Sequence, residues 1–112
     1  MTEPRKISLL GTRRRTEVLI MIALLGETFP AELARVLRAP LYSVQNIVSA
    51  LDREGVLASR SSGRARVVSL DPRYFAFREL KGLLMKLAES EPALRAAAST
   101  RRSRPRRAGS SI

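Results

Sequence analysis

Residues 30–55 read PAELARVLRAPLYSVQNIVSALDREG and hold two helical patterns separated by a short break. In the first, Leu33, Val36 and Leu37 recur on one helix face, and Pro30 suits the first helical position, where its missing N–H is not needed. A helix over residues 30–38 is predicted. Ala39-Pro40 then interrupts the pattern, because the residue before a proline is pushed out of the helical region. In the second, Val44, Ile47, Val48 and Leu51 fall at the spacing of a single buried face, which predicts a helix over residues 41–53 that stops at Gly55. The opposite face of that helix is polar and shows Tyr42, Ser43, Gln45, Asn46, Ser49 and Arg53.

Working outward, Thr12 is a suitable N-cap for a helix over residues 13–25, with Gly26 as its stop. Val18, Leu19, Ile22 and Leu25 make one stripe, but Ile20, Met21 and Leu24 are apolar too. A helix that is apolar nearly all round is buried on more than one side. In so small a domain, a second copy of the chain is the expected cover. Downstream, residues 56–60 and 64–70 read as two short strands around Ser61-Ser62-Gly63, a hairpin signal, and Asp71-Pro72 closes the second strand. A last helix over residues 77–89 carries Phe77, Leu80, Leu83, Leu84 and Leu87, and Ser90-Glu91-Pro92 breaks it. The expected organisation is a lead-in over 1–11, one folded domain over 12–90 and a basic, disordered tail over 91–112, with a short helix at 92–98 compatible with the pattern. On that reading, removing residues 93–112 leaves thermal stability unchanged.

The chain of 112 residues has 21 Lys+Arg against 10 Asp+Glu, a formal charge of +11. Such a charge attracts polyanions, either nucleic acid or an anionic membrane surface. Its distribution is uneven: Arg95, Arg101, Arg102, Arg104, Arg106 and Arg107 lie in residues 93–112, which contain no acid. There is no Cys and no His. That excludes disulfides, thiolate and imidazole metal sites, cysteine nucleophiles and histidine acid–base chemistry. The carboxylates Asp52 and Glu54, or Glu79 and Glu89, have Lys and Arg nearby and make no catalytic pair. No enzyme activity, cofactor or metal is expected. The apolar run 18–25 is far shorter than the roughly 20 residues a membrane span requires. Residues 1–10 lack the apolar core of a signal peptide. A cytoplasmic protein is expected.

Two helices joined by a tight turn and followed by a basic hairpin predict a mainly α fold with a small β-hairpin wing, a winged helix-turn-helix. A major groove about 12 Å wide admits one helix, and that helix needs an apolar face for the core and a polar face for base edges. Residues 41–53 have both. Gln45 and Asn46 carry amides that can pair in bidentate fashion with adenine, and Arg38, Tyr42, Ser43 and Ser49 complete the candidate reading surface. Arg60, Ser62, Arg64 and Arg66 bracket the wing, where arginines can meet phosphates or enter the minor groove. Arg13, Arg14 and Arg15 at the start of the first helix are candidate backbone contacts. Leu19, Ile22, Leu80, Leu83, Leu84 and Leu87 are the candidate homodimer interface. The expected partner is double-stranded DNA, read as a transcriptional regulator. Two alternatives stay open: a winged helix that docks a protein partner, and a non-specific architectural nucleic-acid binder.

Glu32-Leu33-Ala34-Arg35, Ser43-Val44-Gln45, Leu51-Asp52-Arg53-Glu54-Gly55-Val56-Leu57 and Ser61-Ser62-Gly63-Arg64-Ala65-Arg66 together resemble the winged-helix regulators of the ArsR and MarR type, over about residues 11–90. The nearest resemblance is to the winged-helix domain found ahead of small nucleotidyltransferase domains, in which an opening like Leu10-Gly11 through Arg15 and a strand end like Leu70-Asp71-Pro72 recur. The resemblance implies the fold and DNA binding. Two positions depart from it. Arg38 stands where such families have glycine in the turn, and Pro40 stands where they have a Ser or Thr cap, so a side-chain cap of about 1 kcal/mol is lost. The Cys and His ligands of ArsR-type metal sensors are absent, so metal sensing is not carried over.

Overall fold

Thr12 begins the first helix as its N-cap: its side chain accepts a hydrogen bond from the Arg15 N–H at 3.1 Å, satisfying one of the free donors of the first turn. A computed structural model of the chain describes residues 10–103, and in it α1 spans Arg13–Leu25. The next two helices are α2 (Pro30–Leu37) and α3 (Leu41–Arg53). An antiparallel hairpin follows, β1 (Leu57–Ser62) with β2 (Ala65–Leu70), and then α4 (Phe77–Ala88) and α5 (Pro92–Ser103). Among the described residues the chain is thus mainly helical, with five helices and one two-stranded sheet.

The core forms around α1. Val18, Ile20, Met21 and Ile22 are fully buried, as are Leu33 from α2, Val44 and Val48 from α3, Val68 from β2 and Leu84 from α4. This answers the all-round apolarity of α1 in a way the sequence did not lead one to expect. The helix is central, packed against α4 and α5 on one side and against α2, α3 and β2 on others. Its surplus apolar surface is covered by its own chain.

The C-terminal segment is the largest departure from expectation. Residues 92–103 form a helix, not a disordered tail, and Leu94 and Ala98 join the hydrophobic core while Ala97 packs against it. Leu94 is the only large apolar side chain in this helix. Small alanines spaced around it let the helix approach α1 closely, so one leucine suffices where composition alone suggested too little. The folded unit therefore extends past residue 90. Residues 1–9 of the lead-in and 104–112 of the tail lie outside the described residues.

The hairpin is built on a two-residue turn. Ser62 pairs with Ala65 and Leu57 with Leu70, which puts Gly63 and Arg64 in the turn; the first strand ends two residues later, and the second begins one residue later, than expected. Gly63 has φ 63°, the positive value that primed hairpin turns require and that glycine reaches without steric cost. Val68 and Leu70 point into the core from alternate positions of β2. Thr28 adds a third, single-residue rung on the other edge of β2. Its N–H donates to the Val68 carbonyl at 3.1 Å, and the Val68 N–H donates back at 2.8 Å. The connection between α1 and α2 is thereby tied to the hairpin. After β2, the Asp71 carboxylate accepts from the Arg73 side chain and backbone N–H, which hold its pKa below the ordinary carboxylate value. The Asp71 N–H donates to Val56, locking the hairpin base before α4. Among the described residues no helix is long and apolar enough to cross a membrane.

Candidate nucleic-acid interface

The surface of α3 divides as its sequence pattern requires. Val44, Val48 and Leu51 are buried and Ile47 is half-buried, while Gln45 and Asn46 are exposed, Tyr42 is 69% exposed, and Ser43 and Ser49 are half-buried. Pro40 takes the N-cap position without a side-chain hydrogen bond. Tyr42, Gln45 and Asn46 thus stand together on the outer face of a helix whose inner face is fixed in the core.

Arg38 explains the missing glycine of the turn. It has φ 55° and ψ 46°, the left-handed conformation, and is the one non-glycine residue with positive φ among those described. The Ala39 N–H reaches back to the Ala34 carbonyl at 2.9 Å and the Arg38 N–H to Arg35 at 3.3 Å. This is the double bond pattern that closes a helix through a left-handed residue, a position glycine usually fills. An L-residue there is disfavoured by about 1–2 kcal/mol. Arg38→Gly is therefore expected to raise stability by up to about 1 kcal/mol, the relief being partly offset by the greater freedom of glycine in the unfolded chain. A higher urea midpoint checks this. A lower one would show that the arginine makes contacts outweighing its backbone strain.

Most of the candidate arginines are held by carboxylates. Arg13 and Arg14 share Glu17 at 3.3 and 3.1 Å, and Arg14 also donates to the Leu37 carbonyl at the end of α2, at 3.3 Å. Arg15 pairs with Glu54 at 2.8 Å. On the hairpin, Arg60 pairs with Glu27 at 3.1 Å. Arg66 pairs with Asp52 at 3.0 Å, and the same carboxylate accepts from the Ser59 hydroxyl at 2.8 Å. Asp52 lies on α3, so this pair fixes the hairpin against the end of that helix. Ser62 and Arg64 are exposed at the hairpin tip, and neither Arg64, Arg38 nor Arg53 has an ion pair among the described residues. Exposed ion pairs contribute only about 0–1 kcal/mol. A phosphate can therefore replace Glu27 or Glu54 as the partner of its arginine at little loss.

The pairings i to i+3 and i to i+4 with Glu17 are legible from spacing. Those with Glu27 and Glu54 are not, because they join positions 33 and 39 residues apart. The candidate dimer residues are also placed differently from expectation. Leu19, Ile22, Leu84 and Leu87 are buried within a single chain, and Leu80 and Leu83 are partly buried against the same core. Among the described residues the large apolar side chains left exposed are Phe29, Leu41, Tyr42, Phe75 and Met85, of which Phe75 is 91% exposed.

No three acidic residues gather to hold a metal ion among the described residues. What the site offers is amide, hydroxyl and guanidinium groups on a helix face and a hairpin tip, which is the equipment of a binding surface. Comparison of the chain with protein-family models, with curated proteins and with solved structures found no match. The class defined on this evidence is a helix-rich chain with a two-stranded hairpin and a polar helix face beside it.

Proposed function

We propose that this chain is a winged helix-turn-helix that binds double-stranded DNA as a cytoplasmic transcriptional regulator, without catalytic activity. One observation carries the reading: Tyr42, Gln45 and Asn46 stand exposed on α3 while Val44, Val48 and Leu51 anchor the other face of the same helix. A helix about 10–12 Å across fits a major groove about 12 Å wide. Arg38 before it and Arg64 in the hairpin turn add exposed positive charge with no ion pair among the described residues. The Arg66–Asp52 pair supports the reading further, since it joins the hairpin to α3, while the bridge from Thr28 to Val68 ties the hairpin to the connection before α2. A regulator of this kind reads an inverted repeat as a twofold pair. That pair would have to form through exposed side chains such as Phe75 and Met85, not through the buried leucines of α1 and α4.

The test is a titration of random duplex DNA, single strands and duplex RNA over a range of salt. Log affinity for duplex DNA should fall with log salt at a slope of about −0.9 per phosphate neutralised. Affinity that ignores salt, or no duplex binding at low salt, would count against the proposal. The pairing of Arg13, Arg14, Arg15, Arg60 and Arg66 with carboxylates favours a second reading, in which the same domain docks a protein partner. That reading expects no duplex binding and a partner seated on Tyr42 and Phe75.

A further inference from the structure

A cleft of about 260 Å³ opens between the start of α2 and the hairpin. It is lined by Glu27, Thr28, Phe29, Glu32, Val67 and Arg101. Glu32 is a charged group that is almost wholly buried, at 6% exposure. Burying a carboxylate is unfavourable unless it is paired and hydrogen-bonded; here Arg35, one turn along α2, lies 4.0 Å from Glu32 Oε2, and a side chain from far along the chain supplies the nearer cation. Arg101 Nη1 lies 3.2 Å from Glu32 Oε1, and both Nη1 and Nη2 donate to the Glu27 carbonyl, at 3.5 and 3.0 Å. The Thr28 hydroxyl donates to the same Glu32 oxygen. A planar guanidinium thus bridges a carboxylate and a carbonyl, with both terminal nitrogens engaged in a fixed geometry that a guanidinium meets more readily than a flexible ammonium.

We propose that this cleft is a binding site for small guanidinium compounds, which take the place that Arg101 holds at its edge against Glu32 and the Glu27 carbonyl. Two features make the occupant exchangeable. The Arg101 side chain is 36% exposed, so it can turn out into solvent. Leu94 and Ala98, in earlier turns of α5, hold that helix in the core without it. Phe29 is 38% exposed and, with Val67, gives an apolar wall for the aliphatic body of a ligand. Its ring face also suits a cation. The inference goes beyond the nucleic-acid reading and does not depend on it, since no DNA enters the experiment.

The probe is agmatine, titrated by calorimetry and thermal shift against the full chain and its Arg101→Met variant, with 1,5-diaminopentane as the amine control. Methionine keeps an apolar stem over the cleft while removing the fork. R101M should bind agmatine at least about tenfold more tightly than the unaltered chain and should prefer it to the diamine. Adding Glu32→Gln to R101M should weaken agmatine binding by about tenfold or more, the loss expected when a charge-assisted hydrogen bond is removed. If R101M is too unstable to titrate, the unaltered chain gives the second measurement: millimolar agmatine should move the backbone N–H resonances of Phe29, Glu32 and Val67, and the diamine should not. No agmatine binding by R101M, binding indifferent to Glu32→Gln, or resonances unmoved in the unaltered chain would each overturn the proposal.

Discussion

Deleting residues 92–112 is expected to destabilise the chain by about 3–6 kcal/mol, a large part of the 5–15 kcal/mol typical of a whole domain. The figure follows from what α5 covers and what it holds. Burying a leucine the size of Leu94 contributes about 1.5–3 kcal/mol, and the facing surface of α1, which packs against α5, returns to water at the same time. Arg101 leaves with the helix, and Glu32 loses the nearer of its two cations, keeping only Arg35 at 4.0 Å, so the buried carboxylate is less well compensated. For a domain of this size each kilocalorie lowers the melting temperature by about 4–8 °C, so a fall of 15 °C or more should appear in a calorimetric scan. The milder variant Leu94→Ala should cost about 2 kcal/mol with every charge retained. An unchanged melting temperature for both would mean that α5 does not pack in solution, and the charge-count view of the C-terminus would stand. The truncation also tests assembly, because stripping α5 from α1 should create the exposed apolar surface that invites self-association.

Replacing Gln45 and Asn46 together with alanine is expected to abolish sequence preference while leaving the fold intact. Both side chains are exposed on α3, opposite Val44, Val48 and Leu51, so stability should change by no more than about 0.5 kcal/mol. On a preferred duplex, each lost bidentate amide should cost about 1–3 kcal/mol, and on scrambled duplex almost nothing. Arg64→Ala should behave differently. Its guanidinium is exposed in the hairpin turn without an ion pair, so its removal should weaken both duplexes alike and make the salt slope shallower by about 0.9. Paired titrations of each variant on a selected and a scrambled duplex separate these outcomes. If the Gln45/Asn46 variant kept its preference and the Arg64 variant lost it, the hairpin would be the reader and α3 only a support. If no preferred duplex can be selected at all, the architectural or docking reading takes precedence.

Arginines at the site show where inference from the chain alone stops. Arg13-Arg14-Arg15 is a block of three positive charges in the sequence, but in the structure it faces Glu17 and Glu54 and its field is largely cancelled. Arg60 and Arg66 meet Glu27 and Asp52 in the same way. By contrast Arg38 and Arg64, one in a helix turn and one in a hairpin turn, keep their charge unpaired among the described residues. Spacing in a sequence locates a charge on an element. It does not say which opposite charge a distant segment brings beside it.

The helices α1 to α4 and the existence of the hairpin were determined by local rules that the sequence carries, although the strand ends fell one or two residues from where those rules placed them. Thr12 caps, Pro30 starts, Gly55 stops and the apolar spacing of Val44, Ile47, Val48 and Leu51 all act within a few residues, over the range in which backbone hydrogen bonds and side-chain periodicity operate. The departure at Arg38 was marked only through the resemblance, in which glycine stands at that position. What covers α1 was decided only in three dimensions. Its apolar girth calls for partners on every side, but nothing local says whether they come from a second chain or from residues 77–103 of the same one. Leu94, Ala98 and Arg101 settle that choice because the helix they form lands on α1 and brings a guanidinium within 3.2 Å of buried Glu32, 69 residues earlier in the chain. Burial and charge pairing depend on which surfaces meet, and that is fixed by the packing of whole elements.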